Sequence, residues 1–101
     1  MPRTIVNRSP ISEGVNRRFF QALEYLVSRE VIPSYDAFYN MHELSAPRYR
    51  EMRKTYGVTP NREATPSRYK NIEVEALFYL TARYSISARW LLTGAGNMSE
   101  K

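Results

Sequence analysis

The chain has 101 residues, of which 43% are hydrophobic, 25% charged and 13% aromatic; it carries a formal net charge of +5 and no cysteine. That length predicts one domain able to bury a modest single core, and that apolar share excludes a wholly disordered chain. Disulfides and thiolate metal sites are excluded. No stretch approaches the roughly 20 apolar residues of a membrane span, and the N-terminus has no signal-type apolar run, so a soluble, cytoplasmic protein is expected.

Residues 1–11 hold two prolines, two arginines and no period, and read as an arm. A first helix is predicted from about Ser12 or Glu13 to Arg29, with Val15, Phe19, Leu23, Leu26 and Val27 on one face and Pro33 blocking continuation. Ser34 is placed to cap a second helix over Tyr35 to about His42, with Phe38 and His42 inward. Ser45-Ala46-Pro47 is a good start for a third helix, with serine as cap and proline in the first turn, where its missing N–H costs little. That helix is expected to end before Gly57, with Tyr49 and Met52 inward and Arg50, Arg53 and Lys54 outward.

Residues 57–71 contain two Thr-Pro pairs, one glycine and two asparagines, and read as a long connection, functional or mobile, with a short helical turn from Pro66. A fourth helix is predicted over Glu73–Tyr84, with Leu77, Leu80, Thr81 and Tyr84 inward. Ser87 starts a last short helix, Ala88–Thr93, closed by Gly94, and the tail over 95–101 reads as polar and frayed. The fold class expected is all-α: five helices in one domain over 12–94.

Charge is distributed unevenly. Residues 1–45 balance, and so do 71–101. Between Ala46 and Lys70 lie seven basic residues, Arg48, Arg50, Arg53, Lys54, Arg62, Arg68 and Lys70, against Glu51 and Glu63 alone. The net excess of the chain thus sits in 25 consecutive residues interleaved with Tyr49, Tyr56 and Tyr69. A solvated helix face explains such a run, and so does nucleic-acid binding: cations around a helix that fits the major groove neutralise phosphates and release counterions.

The run YSISARWLLTGAGNM, Tyr84–Met98, resembles the closing segment of the Cro / lambda-repressor-like helix-turn-helix family, in particular its bacterial and phage repressor-type members; the opening NRRFFQALEYL is similar to that family's first helix. The resemblance spans about Ile11 to Met98. It implies a transcriptional regulator, repressor-type, that binds double-stranded DNA as a homodimer, with a recognition helix at about 46–55. Transferred onto this chain, the phosphate-touching position at the start of the first motif helix is Tyr35, and Ser45 starts the recognition helix. The base-facing positions are Ala46, Pro47, Arg48 and Glu51. Arg48 then suits a bidentate contact with guanine, while Arg50, Arg53 and Lys54 suit phosphates. Two residues depart from the family pattern: Tyr39 stands where the helices cross and alanine is usual, and Glu43 stands where the turn usually has glycine.

The remaining residues offer little catalytic chemistry. His42, the single histidine, reads as half-buried packing; Trp90 reads as core against the first helix; Asp36 suits a helix start. Glu73 and Glu75 fall on different helix faces, and there is no glycine-rich phosphate loop. No enzyme activity, metal, organic cofactor, small-molecule substrate or membrane partner is implied. The alternative reading is a protein-interaction module on the same fold, in which Tyr39 and Glu43 mark lost groove docking and exposed tyrosines bind a partner; binding of single strands through Tyr56 and Tyr69 is a third.

Overall fold

The computed structural model describes residues 10–100. It contains five helices: α1 (Pro10–Ser28), α2 (Tyr35–Met41), α3 (Ala46–Tyr56), α4 (Val74–Tyr84) and α5 (Ala88–Thr93). There is no strand among the described residues beyond an isolated antiparallel bridge between Ile86 and Ser99. Helix α1 is the hub, packing against α2, α3 and α5; α2 also packs on α3, and α4 on α5.

Local chemistry explains most of the helix boundaries. Three serine hydroxyls each accept an N–H at the start of one helix, α2, α3 or α5: Ser34 from Ala37, Ser45 from Arg48 and Ser87 from Trp90. Gly57 ends α3 at a point of close approach, where a Cβ would lie 2.5 Å from the Arg53 carbonyl oxygen. Gly94 closes α5 at φ +81°, a left-handed conformation that glycine adopts without a Cβ penalty. Helix α1 begins at Pro10, two residues before the expected start. Proline suits the first helical position, so the helix recruits part of the segment read as an arm; the rest of that arm, 1–9, lies outside the described residues.

The core is aromatic. Phe19, Phe20, Phe38, Tyr39, Tyr49 and Tyr56 are buried together with Leu23, Leu26, Ile32, Met52, Leu80, Ile86 and Leu91. Phe19 lies at its centre, 5.0 Å from Phe20, 6.0 Å from Phe38 and 5.6 Å from Tyr49 between ring centroids. Burial of each such side chain contributes roughly 1.5–3 kcal/mol against leaving it in water.

Three expectations are corrected. In α5 the fully buried residue is Leu91, and Trp90 is only half-buried at the edge of the core. In α4 Leu80 is fully buried and Leu77 and Tyr84 pack half-buried against the core as expected, but Ala76 is buried as well and Thr81 is not part of the core. The inner face thus includes Ala76 beside Leu80, and Val74 and Phe78 lie in solvent. The tail is tied down: the Ser87 N–H donates to the Met98 carbonyl at 2.8 Å, the Glu100 N–H to the Ser85 carbonyl at 2.8 Å, and Met98 packs against the core.

The connection between α3 and α4 has no helical turn at Pro66, and it is pinned at several points. Buried Asn16 on α1 donates to the Lys70 carbonyl at 2.8 Å and accepts from the Ile72 N–H at 3.1 Å. The Ser67 N–H donates to the Thr55 hydroxyl at 2.8 Å, and the Arg68 N–H to Glu51 at 3.0 Å. The Tyr49 hydroxyl donates to the Glu73 carboxylate at 2.9 Å and accepts from the Glu73 N–H at 3.2 Å. These bonds fold the segment back along α3.

Candidate nucleic-acid interface

Helices α2 and α3 are joined by residues 42–45. The His42 N–H donates to the Phe38 carbonyl, and the Leu44 N–H to the Tyr39 carbonyl at 2.8 Å. Glu43 sits at φ +59°, so the position where glycine is usual takes the left-handed backbone although it is occupied by glutamate. Tyr39 is fully buried and stacks on Tyr49 of α3, with ring centroids 5.4 Å apart and planes 24° apart. A stacked tyrosine pair thus fills the crossing of α2 and α3. The Tyr39 hydroxyl is buried without a hydrogen-bond partner, and its burial pushes its pKa up.

With the tyrosines facing inward, the outer face of α3 is polar. Ala46 is half-buried, while Pro47, Arg50, Arg53 and Lys54 are exposed. These side chains differ in what already holds them. Arg50 makes a two-pronged ion pair with Asp36 of α2, with bonds of 2.7–3.2 Å, both partners being about half exposed. That hydrogen bond holds the Asp36 carboxyl below the usual carboxylate range. The Arg53 guanidinium lies on the Tyr35 ring, 3.5 Å from its centroid. Tyr35 itself is buried and donates to Glu24 at 2.5 Å; burial, followed by this bond, pushes the pKa of its hydroxyl up. Tyr35 therefore serves as a platform for Arg53, and its hydroxyl is committed to Glu24.

Arg48 turns toward the connection. Its guanidinium donates to the Asn71 carbonyl at 2.6 Å and lies 4.8 Å from the Tyr69 ring centroid. Glu51 also faces the connection, where it accepts from the Arg68 and Ser67 main-chain and side-chain donors and pairs with the Arg68 guanidinium at 3.6 Å. These two residues, expected to face bases, brace the segment that follows α3. Lys54 has no ion-pair partner among the described residues and stands between two clefts of about 320 Å³ each. One cleft is bordered by Arg50 and Arg53, the other by Arg17 and Arg62. Arg17 is held by Glu13 at 2.9 Å, and Arg18 donates to the Leu91 carbonyl at 2.9 Å, so both basic residues of α1 have structural partners.

On α3 the exposed basic residues are Arg50, Arg53 and Lys54, with Arg62 from the connection beside Lys54 and Arg68 exposed further along it. Sequence reasoning missed Glu24, Asp36, Tyr69 and Asn71 as the residues that orient this surface, whereas it counted Arg62 in the basic run without assigning it a contact. Asp36 carried a usable signal, being the sole aspartate in a segment expected to pack on a basic helix. The contacts of Arg48 with Asn71 and of Tyr35 with Glu24 have no local signature. His42 is half-buried as expected: it stacks on Tyr79 at 4.3 Å and shares a 3.0 Å hydrogen bond with the Tyr84 hydroxyl, while burial and the charge of Arg83 lower its pKa. No group of three or more metal-ligating side chains occurs among the described residues, and no helix there is long and apolar enough to cross a membrane. Comparisons with protein-family models, with curated proteins and with solved structures returned no match.

Proposed function

We propose that this chain is a transcriptional regulator of the helix-turn-helix kind that binds double-stranded DNA through α3 and the connection behind it. The observation that carries this reading is the division of α3 into two chemistries. Tyr49, Met52 and Tyr56 point into the core, while Arg50, Arg53 and Lys54 are left outside. Arg53, Lys54 and Arg62 supply phosphate contacts, which position a protein on duplex without reading sequence. Arg50 joins them by exchanging Asp36 for a phosphate, a trade between two exposed anions. Pro47, on the exposed first turn of α3, faces the groove floor. Arg48 and Glu51 act on DNA indirectly, by holding the connection at the depth where Arg62 reaches the backbone.

The rival reading at this face, a tyrosine-lined protein-docking patch, lacks its surface: Tyr35, Tyr39, Tyr49 and Tyr56 are all buried. The test is selection of binding sites from a pool of random duplexes with the full-length chain. Recovery of a common motif, palindromic if two copies bind, supports the reading. Absence of binding to any duplex at low salt refutes it, and binding without enrichment of any sequence refutes the regulator while leaving the DNA-binding face.

A further inference from the structure

A cleft of about 430 Å³ lies where α1 and α4 end. Arg29, the residue after α1, and Arg83, in the last turn of α4, both line it, together with Ser85 and Ser99. Tyr25, Val31 and Tyr84 give it apolar walls. None of these residues borders the two clefts beside Lys54. The volume falls within the range of small-molecule sites.

The two arginines are not committed to carboxylates. Arg17, Arg50 and Arg68 are paired with Glu13, Asp36 and Glu51, whereas Arg29 and Arg83 have no ion-pair partner among the described residues. Each instead keeps its guanidinium near a ring, Arg29 at 5.3 Å from the Tyr25 centroid and Arg83 at 6.0 Å from the Tyr79 centroid. A cation at a helix C-terminus complements the helix dipole. That explains each arginine singly, but not the convergence of both on one cleft. The chain also leaves both helices through left-handed residues that are not glycine, Glu30 at φ +63° and Ser85 at φ +59°. Ser85 is held by the Glu100 N–H, which donates to its carbonyl at 2.8 Å. Strained backbone of this kind gathers at ligand sites.

We propose that this cleft binds a phosphate monoester carried on a small ring system, about the size of a nucleoside monophosphate. Charge chooses the ligand. A phosphate monoester carries about −1.5 to −2 at neutral pH and offers three acceptor oxygens, which two guanidinium forks match. A carboxylate is satisfied by one fork and leaves the second arginine unmatched. Tyr25, Val31 and Tyr84 supply the wall for the ring system, and Ser85 and Ser99 add hydrogen-bonding groups. The cleft also has a built-in reporter. Tyr84 shares its 3.0 Å hydrogen bond with His42, the single histidine, whose pKa is lowered by burial and then by the charge of Arg83. Phe38 and Tyr79 also face His42, and Met41 and Glu43 share a cleft with it. A dianion on Arg83 offsets the one cationic charge that acts on this ring.

The site is tested without DNA, so its failure and that of the DNA reading are distinguishable. Adenosine monophosphate, adenosine and inorganic phosphate are titrated into the full chain by calorimetry at fixed ionic strength. Adenosine monophosphate is expected to bind one site with a dissociation constant on the order of 100 µM, short of the ceiling for a ligand of its size. Adenosine is expected to bind at least about tenfold more weakly, and inorganic phosphate to compete. Arg29→Gln and Arg83→Gln are each expected to cost about tenfold or more with the helical circular-dichroism spectrum intact, since both side chains are exposed. Arg29→Lys, which keeps the charge and loses the fork, is expected to cost several-fold, and Arg53→Gln/Lys54→Gln nothing. In NMR titrations, saturating adenosine monophosphate is expected to raise the pH midpoint of the His42 imidazole signals. No saturable binding at about 5 mM adenosine monophosphate overturns the inference, as does adenosine binding equally well. Affinity lost in the Arg53/Lys54 variant but kept in Arg29→Gln and Arg83→Gln places the anion on the basic surface and overturns it too. An unmoved His42 midpoint at saturation overturns the contact with Arg83.

Discussion

Replacing Asn16 by leucine tests how the connection behind α3 is held. Asn16 is 1% exposed and bonds two main-chain groups more than fifty residues away, the Lys70 carbonyl and the Ile72 N–H. Leucine fills a similar volume but leaves both groups without this partner. An orphaned buried donor costs about 1–3 kcal/mol, and the half-buried Lys70 carbonyl, which water reaches in part, costs about 0.5–1.5 kcal/mol. Against a gain of about 1 kcal/mol for the extra apolar burial, the net loss centres on about 2 kcal/mol, within a range of about 0.5–3.5 kcal/mol. At about 4–8 °C per kcal/mol for a domain of this size, a loss of about 2 kcal/mol lowers the melting temperature by about 8–16 °C. Urea titration gives the loss directly, and thermal melting followed by circular dichroism gives the shift. Asn16→Asp keeps an acceptor for Ile72 but sets a carboxylate against a carbonyl, so its loss grows as pH rises through the carboxylate range. A leucine variant as stable as wild type, or more so, would falsify the view that Asn16 pins this segment.

Other substitutions separate the core from its edges. Tyr39→Phe removes a buried hydroxyl without a partner and is expected to leave stability unchanged or raise it by up to about 1 kcal/mol, whereas Tyr39→Ala opens the α2–α3 crossing and costs about 3–5 kcal/mol; urea midpoints tell the two apart. Leu91→Ala is expected to cost about 2–4 kcal/mol and Trp90→Ala less, because only Leu91 is fully buried; the reverse order in denaturant titrations contradicts the packing described for α5. Burial lowers the pKa of His42 below its ordinary 6.5, so the folded state resists the proton that the unfolded chain accepts. Stability is therefore full above about pH 6.5 and falls as pH drops through the folded-state value, and His42→Gln is expected to flatten that dependence when midpoints at pH 7.5 and 5.5 are compared.

What the sequence disclosed and what it withheld divide along the range of the interactions. Ser34, Ser45 and Ser87 each cap a helix through a bond to the N–H three residues on, so four adjacent letters suffice to place three helix starts. The face of α1 was legible because Phe19, Leu23 and Leu26 repeat at helical spacing and are all buried. The face of α4 was ambiguous because apolar residues surround it. Val74, Leu77, Phe78 and Leu80 fit more than one stripe, and only the approach of the other helices selects Ala76 and Leu80. Trp90 was overread on size, since a large ring beside a smaller neighbour does not say which of the two points inward. At the candidate interface, the outward placement of Arg50, Arg53 and Lys54 followed from the period of α3. Their partners did not: Asp36 lies 14 residues from Arg50, and Asn71 lies 23 from Arg48. Whether an arginine is free or committed depends on such contacts, which no local pattern encodes.

Duplex binding through α3 is read most directly from the salt dependence of affinity for a labelled duplex. Each phosphate neutralised by a lysine or arginine lowers the slope of log K against log salt by about 0.9. Wild-type protein with Arg50, Arg53, Lys54 and Arg62 at the backbone is expected to show a slope of about −3 to −4 on random duplex, and Arg53→Gln/Lys54→Gln a slope shallower by about two units. Arg29→Gln and Arg83→Gln are the controls, since these residues line a separate cleft with Tyr25 and Ser85. They serve better than Arg17 and Arg18, which have structural roles. The α3 variant is expected to lose affinity and slope, and the controls to behave much as wild type. Equal binding by wild type and the α3 double variant, at the same slope, would contradict duplex binding through this helix.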